Sequence, residues 1–337
     1  MPANPQQPPR PSPTRAEAAG TAWSRLGRAL APISWDWPGW LPRGFITILA
    51  GPTGAGKSLL ALHFAATYLD ARPWPDGAPF PGPAAGKVIW CESESSHALN
   101  LERARRWNLD LDRILSPLTD PPHNFQLDDD RHATALLALS RHDDVRFVVL
   151  DSLRGLRFPG RRSRSLAQSL ALLADIARIA GKPFLLTHHL RKRATVDAAG
   201  NLTLDQLLGT GAITQTARVV WALDAPDPRA PAHGRLAVIK NNLAPGPPPL
   251  GVTITDDGLR FGPPPQPPTR HSEFERAVAF LREHLAAGPL PVAELKAHAQ
   301  AAGLSLGTIR RAKKRLAIRS FKPSAHGGWY WELPAKK

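Results

Sequence analysis

One stretch of the chain has the residue types and spacing needed to hold a polyphosphate. It reads Gly51-Pro52-Thr53-Gly54-Ala55-Gly56-Lys57-Ser58. Its glycines let the backbone curl so that successive N–H groups point inward, and no side chain blocks an anion there. We expect Lys57 to reach the β and γ phosphates and the Ser58 hydroxyl to ligate Mg²⁺. The stretch therefore predicts binding of ATP with Mg²⁺.

The segments on either side of this phosphate loop are those that must position it. The apolar run 45–50 predicts a buried strand, and 59–66 predicts a helix packed on it. Because the motif needs this strand–loop–helix context, a glycine-rich turn that merely contains Lys-Ser is disfavoured. Upstream, Trp35, Trp37 and Trp40 are expected to pack in the core, although a surface for base or subunit contacts is the alternative.

Two glutamates follow the next predicted strand, 87–91. An acidic residue at the carboxyl end of a parallel strand lies where ligands bind, so it can activate the water that attacks the γ-phosphate. The alternative is helix capping, in which Ser93 or Ser95 caps a helix that runs to Trp107 and the acidic groups lie in its first turn. We favour Glu94 as the base and the capping interpretation for Glu92.

Two further predicted strands end in polar side chains. The run 146–151 ends in Asp151, which we expect to hold Mg²⁺ through water, although a strand-terminal aspartate is also a common turn former. The run 183–187 is followed by His188 and His189. Adjacent histidines on a strand point to opposite faces, which disfavours a zinc site. One of them is instead predicted to sense the γ-phosphate.

The charge of the chain favours a nucleic-acid partner. Its formal net charge is +15, and residues 270–337 hold 13 lysines and arginines against 5 acidic residues. Five arginines fall within 154–164, and a basic run that includes Arg191 and Lys192 begins a loop after the histidines. A solvated charged face is the alternative for the arginine loop.

Alternating apolar strands and helices predict an α/β fold with a mainly parallel central sheet covered on both faces. The later strands are expected at 218–223 and 235–240, with a final hairpin at 252–261. The predicted divisions of the chain are a disordered proline-rich N-terminus, an ATPase domain, a proline-rich linker and a C-terminal domain: 1–20, 21–262, 263–270 and 271–337. One cysteine, no membrane-length apolar run and no signal peptide predict a cytoplasmic protein.

The C-terminal domain is predicted to be a winged helix that binds DNA. Helices are expected at 273–286, 291–302 and 305–316, followed by a hairpin within 318–333. A winged helix that binds protein through a basic face is the alternative. The candidate DNA contacts are basic residues of the third helix together with two from the loop after the histidines: Arg310, Arg311, Lys313, Lys314, Arg191 and Lys192.

The chain from Trp35 to Phe261 resembles RecA-like ATPases of the plasmid RepA and DnaB-type replicative helicase branch, which are common on phages, plasmids and integrated elements. The resemblance rests on the Trp-Pro-Gly-Trp-Leu-Pro-Arg-Gly approach, the phosphate loop and five shorter segments. These are 88–96, 148–152, 187–192, 209–211 and 239–241.

The resemblance implies roles for particular residues and an assembly. Glu94 falls at the position that activates water, and the γ-phosphate sensor falls on His188 or His189. Lys240 matches a lysine that reaches a neighbouring subunit's nucleotide. Relatives carry an arginine two residues later, where this chain has Asn242, so either Arg218 or Arg235 supplies that cation or stimulation between subunits is weak. The resemblance also implies a ring, often a hexamer, with loops 152–164 and 190–208 facing a central channel.

Together these features predict an ATP-hydrolysing, DNA-associated motor that acts as a ring on single-stranded DNA. It would be a replicative helicase, or a helicase loader, of a mobile element. The alternative is an ATP-gated DNA-binding regulator in which nucleotide switches the winged helix and no strand is moved. A small-molecule kinase is a weaker alternative, because it gives no reason for the basic third helix.

Overall fold

A computed structural model describes residues 21–82, 86–118, 124–153, 165–190, 202–207, 210–227, 230–265, 273–324 and 327–334. The chain divides into two units, 1–265 and 266–337. Several predictions fall outside the described residues. They are the disordered N-terminus, most of the proline-rich linker, the arginine loop, Arg191 and Lys192 with most of their loop, and Gly209.

The larger unit is built on a mixed sheet of nine described strands. The strands are β3 (Ile46–Gly51), β4 (Lys87–Glu92), β5 (Ile114–Leu115), β6 (Val145–Asp151), β7 (Phe184–His189), β8 (Val219–Asp224), β9 (His233–Asn241), β10 (Leu250–Thr255) and β11 (Gly258–Gly262). Their order is β11-β10-β9-β8-β3-β7-β6-β4-β5. A small separate ladder pairs β1 (Trp35–Trp37) with β2 (Leu41–Pro42).

The predicted parallel sheet accounts for only part of this ladder. Strands β5, β4, β6, β7, β3 and β8 are parallel, whereas β9, β10 and β11 are antiparallel to their neighbours. The reason is the length of the connections after β8. Each is shorter than the dozen or so residues that a parallel crossover needs, and the last is only Asp256 and Asp257. The chain therefore returns beside the strand it has just left.

Helices cover the sheet on both faces, as the continuous apolar strands predict. The covering helices are α2 (Lys57–Asp70), α3 (His97–Arg106), α4 (Asp130–Ser140), α5 (Leu166–Ala180) and α6 (Thr210–Thr216), whereas the residues of α1 (Trp23–Ala29) are exposed where they are described. Residues of one strand alternate between two cores. Val148 packs in the core with α4, α5 and α6, and Val149 in the core with α2 and α3. A Ser165–Gln168 capping box begins α5, and Gly181 in the left-handed region ends it.

Trp37 and Trp40 are core residues, as expected, and Trp35 is partly buried against the same core. The Trp37 ring stacks on Trp40 at 4.5 Å and on Trp74 at 5.1 Å, and Trp221 meets it edge-on at 5.8 Å. All four are at most 2% exposed. The Trp37 indole N–H also donates to Asp76 at 2.8 Å. This stack ties the approach segment to α2 and β8, and so supports the strand that leads into the phosphate loop.

The C-terminal unit has its own core. Its elements are α7 (Glu273–His284), β12 (Leu290–Pro291), α8 (Val292–Ala301), α9 (Leu306–Arg315), β13 (Arg319–Phe321) and β14 (Tyr330–Glu332), with strand order β12-β14-β13. Leu281, Leu295, Ile309 and Trp331 meet beneath the three helices. The Ser305 hydroxyl caps α9 by accepting from the Thr308 N–H.

Across the described ranges, none of the helices combines the length and apolar character that crossing a bilayer requires.

Removing the central ring of the tryptophan stack should destabilise the larger unit. We expect Trp37→Ala to lower the free energy of unfolding by about 3–5 kcal/mol, because it leaves a cavity between two stacked rings and removes the bond to Asp76 Oδ2. Chemical denaturation followed by circular dichroism measures this change. Trp23→Ala is the matched control, since Trp23 is 89% exposed and should change stability by less than about 0.5 kcal/mol. Equal effects of the two variants would contradict the role of the stack.

Candidate functional site

The phosphate loop joins the end of β3 to the start of α2 through backbone conformations that glycine allows. Gly54 and Gly56 have φ of +79° and +89°. A Cβ on Gly56 would lie 2.7 Å from Ile254 Cδ1, and one on Gly51 would lie 2.6 Å from the Leu223 carbonyl oxygen. The loop therefore leaves a concave backbone surface at the N-terminus of a 14-residue helix, where unpaired N–H groups favour an anion.

Lys57 is folded onto its own loop. Its ammonium donates to the Gly51 carbonyl at 3.0 Å and the Pro52 carbonyl at 2.8 Å, and lies 3.4 Å from His189 Nδ1. Burial lowers the pKa of Lys57 to about 8, and the negative charges of Asp151 and Glu94 oppose that shift. The cation is thus held by carbonyls that phosphate oxygens can replace.

Asp151 ends β6 in the same cleft. Thr187 on the neighbouring strand β7 donates its hydroxyl to Asp151 Oδ1 at 2.5 Å. The carboxylate is 7% exposed, so this bond fixes its orientation in a buried site. Thr187 was not anticipated from the sequence, although it is the residue just before the two histidines.

The two glutamates after β4 have different environments. Glu92 is 3% exposed, and its carboxylate accepts from the Glu94 backbone N–H at 3.0 Å and from Asn100 Nδ2 at 2.8 Å. The Glu94 side chain is 38% exposed and accepts from the Ser152 hydroxyl. Glu92 therefore orders the backbone that carries Glu94, while the Glu94 carboxylate itself faces the cleft.

Ser93 and Ser95 do not cap the next helix, and neither glutamate lies in its first turn, so the capping interpretation favoured for Glu92 is wrong. Helix α3 begins after Ser96, whose side chain makes no capping bond. The Ser93 hydroxyl instead donates to the Ser152 carbonyl and accepts from the Ser152 N–H, both at 2.7 Å. Ser95 is bonded to Asn124. These bonds tie the end of β4 to the end of β6, since a hydroxyl can both donate and accept.

The two histidines lie on opposite faces of β7, which extends through both of them. His188 is 5% exposed, whereas the His189 side chain is 22% exposed and lines the cleft. His189 Nδ1 faces the Lys57 ammonium, from which a neutral ring can accept a hydrogen bond. Nε2 is 3.7 Å from Glu94 Oε1. His189 thus lies between the lysine of the phosphate loop and the exposed glutamate.

The cleft has a volume of about 520 Å³ and walls that the sequence motifs did not indicate. Helix α3 contributes Leu99, Asn100 and Arg103, and strand β10 contributes Ile254. Leu99 and Arg103 are four residues apart, which places them on one face of a helix. This spacing was the signal that both could line the cleft. No sequence signal marked Ile254 as a wall residue, because only the antiparallel return of the chain brings β10 over the phosphate loop.

The residues in the cleft fit a magnesium nucleotide. Glycines leave space for phosphates against the helix N-terminus, and Lys57 supplies a positive charge. The Ser58 hydroxyl and the Asp151 carboxylate both line the cleft, and hard oxygen donors of this kind suit Mg²⁺. When bound, the metal would neutralise charge on the phosphate oxygens.

Two candidate cations lie away from the phosphate loop. Lys240 pairs in register with Val220 near the start of β8, opposite the strand end that meets the loop, and its ammonium donates to the Ala217 carbonyl at 2.6 Å. Burial lowers the pKa of Lys240, and the positive charge of Arg218, which is exposed at the same end of the sheet, adds to that shift. Arg235, by contrast, is buried in a two-bond pair with Asp224, at 3.1 and 2.7 Å.

The DNA-binding candidates that the structure describes lie in the C-terminal unit. Arg310, Arg311 and Lys314 are exposed on α9, together with Arg315. Lys313 differs from them, because its ammonium lies 4.9 Å from the centre of the Trp331 ring and 2.5 Å from the Ser320 hydroxyl. Lys313 therefore packs on the sheet instead of joining the exposed basic face.

The lowered pKa of Lys57 predicts alkaline loss of nucleotide affinity. Phosphates bind the charged ammonium, and its proton is lost as pH rises through about 8. The affinity for ADP should then fall by up to about tenfold per pH unit above this value. Titration calorimetry in buffers between about pH 7.5 and 9.5 measures the change, since the phosphates of ADP are already ionised there. Lys57→Arg, which stays charged, should bind more weakly but without this pH dependence. A flat profile for the unmodified protein would contradict the assignment.

Comparison with known proteins agrees with the geometry of the cleft. A family model described as an AAA domain matches residues 10–195, which is more than half of the 337 residues. The matched stretch contains the phosphate loop, Glu94, Asp151 and both histidines. No curated protein matches the chain. Because the match covers most of the unit that forms the cleft, the chain belongs to the AAA-domain family of P-loop ATPases.

Proposed function

We propose that the protein is an ATP-hydrolysing motor that acts on DNA, as a replicative helicase or helicase loader of a mobile element. The observation that carries the proposal is the convergence of four groups on one cleft: Lys57, Asp151, Glu94 and His189. A cation for phosphates, a buried carboxylate for a metal and a partly exposed carboxylate for water are the groups that phosphoryl transfer to water requires.

In this proposal Glu94 is the general base. Its exposure gives access to water, and the Ser152 hydroxyl fixes its direction. His189 reports occupancy of the γ-phosphate position, because its ring lies between Lys57 and Glu94. His188, on the buried face of the same strand, has no such access to the cleft. Leu99, Ile254 and the Arg103 guanidinium provide apolar and planar surfaces on which a nucleobase can pack.

Assembly into a ring, often a hexamer in the RepA and DnaB-type branch, is what the resemblance to that branch implies. Such a ring uses a cation on one subunit at the nucleotide of the next. Arg218 and Lys240 support this. They lie near the start of β8, at the strand ends opposite those that meet their own phosphate loop. Arg235 is a poor candidate because its ion pair with Asp224 is buried. With Asn242 in place of the usual arginine, Arg218 is our candidate for the trans cation.

Contact with DNA is proposed for both units. The C-terminal unit has the helices and antiparallel strands that a winged helix uses, and α9 carries four exposed cations, Arg310, Arg311, Lys314 and Arg315. Single-stranded DNA would run through the channel of the ring, where the resemblance assigns Arg191 and Lys192. Binding through such cations is expected to weaken steeply with salt, because counterions are released from the phosphates.

The two glutamates provide a matched test of the chemistry. Glu94→Gln should reduce ATP turnover by about 10²–10⁴-fold while sparing nucleotide affinity and stability, because it removes only the base. Glu92→Gln turns an amide toward Asn100 and should lower stability by about 1–3 kcal/mol. Steady-state turnover, ADP affinity and thermal unfolding of both variants measure these effects. Full turnover in Glu94→Gln would overturn the assignment of the base, and an intact fold with no turnover in Glu92→Gln would move that role to Glu92.

The motor itself is tested by ATP turnover with and without single-stranded DNA, alongside the mass of the protein in solution with ATP. We expect stimulation of about tenfold or more, which corresponds to about 1.4 kcal/mol of barrier, together with a ring-sized assembly. Slow, unstimulated turnover by a monomer or dimer that binds duplex of a particular sequence would overturn the motor. It would favour the ATP-gated regulator.

A further inference from the structure

Two tryptophans at the hairpin of β13 and β14 differ in solvent exposure. Strand pairing sets Ser320 opposite Trp331 and Phe321 opposite Tyr330. Since side chains alternate along a strand, Trp329 continues the face of Trp331 toward the turn. Trp331 is 7% exposed beneath the helices, whereas Trp329 is 55% exposed. A large indole thus projects beyond the covered part of the hairpin, on the face against which the helices pack.

One cation lies beside this exposed indole, and others lie on the same unit. The Lys322 ammonium lies 5.4 Å from the centre of the Trp329 ring. On the same face of the hairpin, α9 rests on the sheet through Lys313, which contacts Ser320 and Trp331. The outward face of α9 then presents its four exposed cations, Arg310, Arg311, Lys314 and Arg315. An aromatic platform and a row of positive charges therefore belong to one small unit.

This combination fits one chemical partner well. A nucleic-acid strand alternates a flat π-surface with a phosphate, and base–aromatic stacking beside cations is how single strands are bound without sequence preference. The bases of an intact duplex are stacked on one another, so they offer no free face to an indole at the side of the helix. The basic face of α9 alone does not distinguish duplex from single strand, because both expose phosphates.

We propose that Trp329 stacks on an unpaired base of a DNA strand whose phosphates lie against α9. This inference rests on the proposed function, because it takes DNA as the partner. It specifies the kind of DNA that the C-terminal unit binds, namely a single strand or the single-stranded side of a junction. Trp329 supplies the stacking surface, Lys322 a neighbouring charge and α9 the contacts to the backbone.

The test is a cycle that removes the indole and the bases separately, with the full-length protein. Fluorescence anisotropy measures the affinity for a labelled single strand, for the same strand with a central run of abasic sites, and for a blunt duplex. Trp329→Ala should weaken binding of the intact strand by about 5- to 100-fold. It should change binding of the abasic strand and the duplex by less than about twofold, since the phosphates remain. Trp329→Phe should keep most of the affinity.

Trp23→Ala is the matched control, because Trp23 is also a highly exposed tryptophan but lies in the other unit. Folding of Trp329→Ala is not at issue, since Trp329 bonds the Val292 N–H at 2.8 Å through its own backbone carbonyl, which alanine keeps. Equal losses on intact and abasic strands, or no loss on either, would overturn the stacking role while leaving the motor standing. Failure of the unmodified protein to bind any of the three DNAs would overturn both proposals.

Discussion

The parallel register of four strands is the constraint on which the candidate site depends. Glu92 lies opposite Asp151 in the β4–β6 ladder, and Gly51 lies opposite His189 in the β3–β7 ladder. A shift of one residue in either ladder would turn every side chain of a strand to the other face. Asp151 would then leave the cleft, and His188 would replace His189. The apolar cores on both faces of the sheet oppose such a shift, because each strand residue is matched to one of them.

Within that frame, hydroxyl groups hold the strand ends at fixed separations. Ser93 bridges β4 to Ser152, and Thr187 bridges β7 to Asp151. Ser152 in turn bonds Glu94. The carboxylates of Asp151 and Glu94 thus line one cleft, and each accepts a hydrogen bond from a neutral hydroxyl. The positive charge of Lys57 lies close enough to stabilise both. Burial still lowers the pKa of that lysine, so the site is arranged for a ligand that brings negative charge.

The sequence was sufficient for the part of the site that depends on local pattern. The phosphate loop, the helix that follows it and the strand ending at Asp151 could be located because each is a local signal of glycine or of apolar pattern. Ser152, Thr187 and Asn100 could not, since their roles arise from contacts between strands far apart in the chain. The position of Ile254 and the burial of Arg235 depend on the antiparallel pairing of β9 with β8 and with β10, which the pattern of the sequence did not indicate.

The position of His189 connects the nucleotide cleft to the segment of the chain that follows β7. In the described conformation the Lys57 ammonium is shared between two loop carbonyls and His189 Nδ1. Phosphates compete for the same ammonium, so their arrival removes a donor from His189 and changes its hold near Glu94. His189 ends β7, and the basic run that includes Arg191 and Lys192 follows at once. In the proposed function, a change at this single ring would therefore act both on the base that activates water and on the segment proposed to touch DNA. That coupling is the minimum that a DNA-driven ATPase requires.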